Sequence, residues 1–210
     1  MPSPAEIRWI TTQIQLQPGD IQRVSKRQPL PIEIVEPDPA WPAAFARVAS
    51  LIRDALGPLA VSVAHVGSTS VPGLPAKAII DVDLVVPDPT DEAAYVPALE
   101  RAGFQFTLRE PTWYEHRFFG LLEPYTNLHV FGPGAPEPAR HAMFRDWLST
   151  HPDDCAKYAA VKREAAAASR EAGEGVREYN ARKNGVIQEI LARMFQAHGL
   201  VLDDSAAEEK

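Results

Sequence analysis

The chain is nearly without cysteine: Cys155 is the only one in 210 residues, so no disulfide framework holds it together. It has no apolar run near the roughly 20 residues that a bilayer-spanning helix needs. Its first residues, Met1-Pro2-Ser3-Pro4, carry neither the basic head nor the apolar stretch of a secretory signal. These absences predict a protein of the reducing cytoplasm, with no membrane partner. Positive charge is also scarce, with 21 basic against 28 acidic residues and a formal charge of −7. Binding to DNA, RNA or anionic lipid draws on counterion release at a basic surface, so nucleic acid is not an expected partner. A small anionic ligand needs only a local basic pocket and stays open.

What is present is enough for one ordinary domain with a sizeable core, since 45% of residues are hydrophobic. Proline is abundant, 20 of 210 residues or about twice the average near 5%, and it punctuates the pattern. Residues 1–31 read as an N-terminal arm or small added hairpin. Ile7–Leu16 alternates weakly and suggests a strand, Gln17–Asp20 a turn, and Arg8, Arg23, Lys26 and Arg27 make the segment mildly basic. From Ile32 the signals strengthen. Ile32–Val35 predicts a short strand, and Phe45, Val48, Ile52 and Leu56 predict a helix opened by Pro42 and ended by Gly57. Strands are expected over 60–66, 78–86, 104–108, 115–121 and 127–131, with a helix over 91–102. Helices over 138–149, 153–171 and 176–198 complete a domain of 32–198. Residues 199–210 form an acidic tail, with Asp203–Lys210 expected to fray. Strands mixed with helices, then a helical last third, indicate α+β (α/β) with helices flanking a mixed sheet.

The densest chemistry lies in His65-Val66-Gly67-Ser68-Thr69-Ser70, followed by Lys77 and the strand that carries Asp81 and Asp83. A strand ends at a Gly-Ser turn, twelve residues follow, and an apolar strand then presents two aspartates two positions apart. The strand period of two sets both carboxylates on one face, where they repel each other and resist desolvation. A hard divalent cation, Mg²⁺ or Mn²⁺, relieves both problems. The turn's backbone N–H groups and the Ser68 hydroxyl suit a phosphate beside that cation.

This order and spacing resembles the nucleotidyltransferase superfamily signature, and His65–Lys77 is similar to the GrpB family. The similarity continues through Pro39-Ala40-Trp41-Pro42, Asn127-Leu128-His129-Val130 and Phe144-Arg145-Asp146-Trp147-Leu148 to Tyr158, Lys162, Tyr179 and Lys183, covering about 32–198. It implies a nucleotidyltransferase-like mixed sheet with a helical C-terminal third. It also implies that Asp81 and Asp83 bind the cation while Gly67, Ser68, Thr69 and Ser70 contact the phosphates of a nucleotide or phosphorylated small molecule. Lys77, Arg117, Lys162 and Lys183 are the candidate basic partners of those phosphates. Lys162 shares a helical stripe with Tyr158 and Cys155, and Lys183 shares one with Tyr179 and Ile187.

Where an active transferase wants a third carboxylate, this chain has His129. That departure leaves three readings open. The first is a cation-dependent nucleotidyltransferase-like enzyme, and the second a catalytically degenerate nucleotide-binding or regulatory module. The third is a small-molecule enzyme that reuses the cleft with His65 or His129 as acid and base. His116, His141, His151 and His198 are expected to be structural or exposed.

Overall fold

A computed structural model describes residues 3–9 and 19–200. In chain order its elements are α1 (Pro4–Trp9), β1 (Gln22–Arg23), α2 (Trp41–Leu56), β2 (Ser62–Val66), β3 (Ile80–Val85), α3 (Glu92–Arg101), β4 (Gln105–Glu110), β5 (His116–Leu121), β6 (Thr126–Phe131), α4 (Pro136–Thr150), α5 (Pro152–Glu171) and α6 (Val176–Ala197). The α+β reading holds. Two local expectations fail. Pro4–Trp9 is helical rather than extended, and the remainder of Ile7–Leu16 lies outside the described residues, as does Asp203–Lys210. Ile32–Val35 is not a strand, because only Val35 pairs, bridging Ala76. Prolines at 31, 37 and 39 deny this stretch the donors that a longer ladder requires.

Helix α2 shows why the local signals work. Ala44, Val48, Ile52 and Leu56 recur every four residues and are buried. Pro42 sits in the first turn, and Gly57 ends the helix with φ +52°. In β3, Ile80, Val82 and Leu84 alternate with the aspartates and are 2% exposed or less. They pack with Val48, Ile52, Leu99, Phe119 and Leu128 in the larger core, where each such side chain contributes about 1.5–3 kcal/mol.

The six strands form one sheet in the order β1-β4-β5-β6-β3-β2. Only β3 and β6 run parallel; the other neighbours are antiparallel. The register sets Asp81 beside Asn127 and Asp83 beside His129. The same parity puts these four side chains on the face opposite α2 and the larger core. A second core joins the C-terminal helices, with Trp147, Leu148, Tyr158, Ile190, Leu191 and Met194 packed around Val71 and Leu74 of the loop after β2. The polar face of β3 and β6 is therefore roofed by a helical layer. The arm also joins the sheet, since Gln22 and Arg23 pair with Arg109 and Leu108 at its edge. Among the described residues no helix is long and apolar enough to cross a membrane.

Candidate functional site

The turn after β2 is built around Gly67. Its φ of +68° and ψ of −170° lie in backbone territory that is almost glycine-only. A Cβ placed there would stand 2.4 Å from Asp81 Oδ2. Glycine therefore lets the turn approach the Asp81 carboxylate directly. Asp81 accepts a hydrogen bond on Oδ1 from Asn127 Nδ2 at 2.8 Å. Burial raises the Asp81 pKa, partly offset by Asn127 and by the charge of Lys77.

Gly67, Ser68, Lys77, Asp81, Lys162 and Lys183 line one cavity of about 270 Å³, completed by Asn127, Tyr158 and Tyr179. The three lysines arrive from three places: the loop before β3, helix α5 and helix α6. Lys162 is 2% exposed and donates to the Pro75 carbonyl at 2.7 Å. Lys183 lies 4.2 Å and Lys77 5.5 Å from the centre of the Tyr179 ring. Among the described residues, none of the three forms an ion pair, and Asp81 is the only carboxylate in the cavity lining. Burial pushes Lys162 down to about 7, helped by the charge of Lys183, and pushes Lys183 down to about 8, helped by Lys77.

These depressed values fix the sign of a pH dependence. Well below pH 7, the folded and unfolded chains both hold these protons, and the full penalty of burying the ammonium groups is present. Between about pH 7 and the ordinary lysine value of 10.5 the folded chain releases protons that the unfolded chain keeps, so stability from this source rises with pH. Thermal melts from pH 7 to 9.5 should show it, and Lys162→Met should flatten the slope. An equal slope in parent and variant would remove Lys162 as the cause.

Asp83 and His129 lie beside the cavity, in a buried polar cluster. Asp83 is 2% exposed, and both its oxygens face His141 Nδ1, at 2.9 and 3.2 Å. Burial alone would lower the His141 pKa, but Asp83 and Glu137 outweigh it and raise it. The other ring nitrogen of His141 is 3.3 Å from Glu137, which is fully buried and also pairs with Arg140. His129 Nδ1 is 3.1 Å from His116 Nε2, and His116 Nδ1 is 2.7 Å from Glu110. Burial, then the charges of His116 and His141, hold the His129 pKa well below its ordinary value. A neutral imidazole therefore stands beside Asp83 on the neighbouring strand.

Four expected site residues lie elsewhere. His65 pairs with Val82 and so projects from the opposite face of the sheet. There it stacks on Phe45 at 4.7 Å and contacts Thr69 Oγ1 at 3.1 Å, with burial pushing its pKa down to about 4. Thr69 is buried and donates to the Ile79 carbonyl, and Ser70 donates to the Gly67 carbonyl. Both hydroxyls close the turn rather than line the cavity. Arg117 is buried against Glu92 at 2.7 Å and Glu115 at 3.3 Å, which commits its guanidinium to a structural network with Arg109.

The residues that sequence reasoning passed over are Arg27, Asn127 and His141. Arg27 donates to Asn127 Oδ1 at 2.6 Å and to the Thr126 carbonyl. Its contact spans 100 positions and that of His141 with Asp83 spans 58, so no local pattern announces either. The one available signal was parity: Asn127 and His129 are alternate residues of a strand, so they share a face.

Fold and cavity together define an α+β protein with a lysine-lined pocket at an aspartate-bearing strand. Residues 31–193 match the family described as GrpB protein, and the chain belongs to that family. It is 48% identical over 162 residues to UPF0157 protein BH1888 of Halalkalibacterium halodurans, covering 77% of this chain and 82% of that one. A dephospho-CoA kinase of Mycolicibacterium paratuberculosis is 32% identical over 161 residues, which are 64% of this chain but 40% of the kinase. The crystal structure of conserved protein GrpB from Enterococcus faecalis superposes with a TM-score of 0.63 at 23% identity. That match covers 78% of this chain and 99% of that one, and shows the shared fold.

Proposed function

We propose that the cavity binds the phosphate groups of a nucleotide or other phosphorylated small molecule, as in the nucleotidyltransferase-like superfamily that the Gly67–Asp83 pattern resembles. The observation that carries this reading is the convergence of Lys77, Lys162 and Lys183, without an ion-pair partner among the described residues. Buried cations are costly unless paired. A polyphosphate supplies the missing negative charge, and the N–H groups of the Gly67–Ser68 turn add uncharged donors.

A divalent cation, Mg²⁺ or Mn²⁺, fits as a companion of that ligand. Asp81 and Asp83 share a face, and a carboxylate that accepts one or two hydrogen bonds keeps lone pairs for a metal. No group of three His, Cys, Asp or Glu side chains among the described residues is placed to hold a metal ion. Two carboxylates plus substrate phosphate are nevertheless an ordinary donor set for Mg²⁺. When bound, the cation would neutralise charge between the phosphates and Asp81. We assign the protein binding rather than two-metal transfer, because the neutral His129 supplies no third negative charge. The approach of the Gly67 turn to Asp81 favours one-cation nucleotidyl transfer as the second reading. Release of pyrophosphate with an added acceptor would select it.

Calorimetric titration with tripolyphosphate, with and without Mg²⁺, tests the binding reading in the parent and in Asp81→Asn. The parent should bind in both conditions and gain about tenfold from Mg²⁺. Asp81→Asn, relieved of a repelling carboxylate, should bind at least as well without Mg²⁺ and gain nothing from it. An equal gain in both proteins would contradict the cation assignment. Absence of binding by the parent would contradict the phosphate assignment.

A further inference from the structure

A second cavity of about 380 Å³ adjoins the first, and the two share Lys77, Ile79, Asn127 and Val176 as a common wall. Its size is within the range of about 300–1,000 Å³ typical of small-ligand sites. Its chemistry differs from that of the lysine pocket. Leu30, Leu108 and Phe118 provide apolar and aromatic surface, Arg23 and Arg27 provide cations, and among the described residues no carboxylate lines it. The Arg27 guanidinium lies 4.0 Å from the centre of the Tyr125 ring and 5.9 Å from that of Phe118, an arrangement that presents flat cationic and aromatic surfaces together.

One side of this cavity is made by the N-terminal arm, which precedes the segment matched to the family. The arm is anchored along the sheet edge. Val24 N and Ser25 N donate to the Thr107 carbonyl, Gln105 donates to the Lys26 carbonyl, and Tyr125 donates to the Gln28 carbonyl. Arg27 then ties the arm to the first cavity through Asn127, whose amide nitrogen in turn donates to Asp81.

We infer that Arg23–Leu30 and Phe118 form a subsite for the aromatic organic part of the ligand, a nucleoside. Its phosphates pass the Lys77–Asn127 wall into the lysine pocket. This inference rests on the phosphate reading above and narrows it to nucleotides. A base stacked on the Phe118 ring, with the Arg27 guanidinium at its edge, is held through its π-face and its polar edge. The arm, rather than the family-matched segment alone, then sets which organic group is accepted.

The test compares tripolyphosphate with the four ribonucleoside triphosphates, by calorimetry in Mg²⁺, for the parent, Leu30→Trp and Arg27→Ala. In the parent, at least one nucleoside triphosphate should bind about tenfold more tightly than tripolyphosphate, the contribution expected of one stacked base. Leu30→Trp fills the second cavity and Arg27→Ala removes its cationic surface, so each should cut that advantage to about threefold or less. Tripolyphosphate binding should persist in Leu30→Trp, which also reports that this variant is folded. The inference is overturned if no nucleoside triphosphate outbinds tripolyphosphate, if the advantage survives both substitutions, or if Leu30→Trp loses tripolyphosphate as well. If the parent binds neither tripolyphosphate nor any nucleoside triphosphate, the phosphate reading itself fails.

Discussion

Replacing Lys162 and Lys183 together by methionine should weaken tripolyphosphate binding by about 100-fold or more, from the loss of two charge-assisted contacts. The same double substitution should leave the ligand-free protein as stable as the parent, or up to about 2 kcal/mol more stable. Both lysines are buried among Tyr158, Tyr179 and the helical layer, and methionine keeps most of their apolar length. Removing two poorly solvated ammonium groups relieves the penalty that depresses their pKa values. The losses are the Lys162 hydrogen bond to the Pro75 carbonyl and the approach of the two ammonium groups to the Tyr158 and Tyr179 rings, which limit the gain. Lysines kept only for packing would give the reverse pattern, a fall in stability with binding intact. Thermal melts beside calorimetric titration separate the two outcomes.

Gly67→Val should damage both fold and site. Valine would be forced to φ +68°, and its Cβ would fall within 3 Å of three Asp81 atoms. Backbone strain and overpacking together cost about 2–5 kcal/mol, and displacement of Asp81 should remove the Mg²⁺-dependent gain in binding altogether. Gly73→Ala makes the control. Its φ of +76° is comparably strained, but a Cβ there meets nothing within 4 Å. The control should therefore lose some stability while retaining the response to Mg²⁺. If Gly67→Val retained it too, the turn would not be holding Asp81 in place.

How much of this was legible in the sequence depended on range. The β3 aspartates, the Gly67-Ser68 turn and the lysine stripes of α5 and α6 are local features. Their period of 2 or 3.6 fixes a face before any partner is known. Lys77, Lys162 and Lys183 could thus be named together, although only packing shows that they meet beside Asp81. The misplacement of His65 followed from treating closeness in sequence to Gly67 as closeness in space. Antiparallel pairing with Val82 turns it to the other face. Arg117 offered a chargeable strand residue, but the Glu92 that engages it is 25 positions away on α3. The arm's part was the least legible. Gln22 and Arg23 form a strand only because the open edge of β4 accepts them, and their short sequence holds no period of its own.

The most direct measurement of the account is a crystal structure of the protein soaked with tripolyphosphate and Mn²⁺, with the anomalous signal of manganese recorded. The account predicts phosphate density within hydrogen-bonding distance of the Nζ atoms of Lys77, Lys162 and Lys183, and a manganese peak between that density and Asp81. Phosphate seated elsewhere while this cavity holds only water would contradict it.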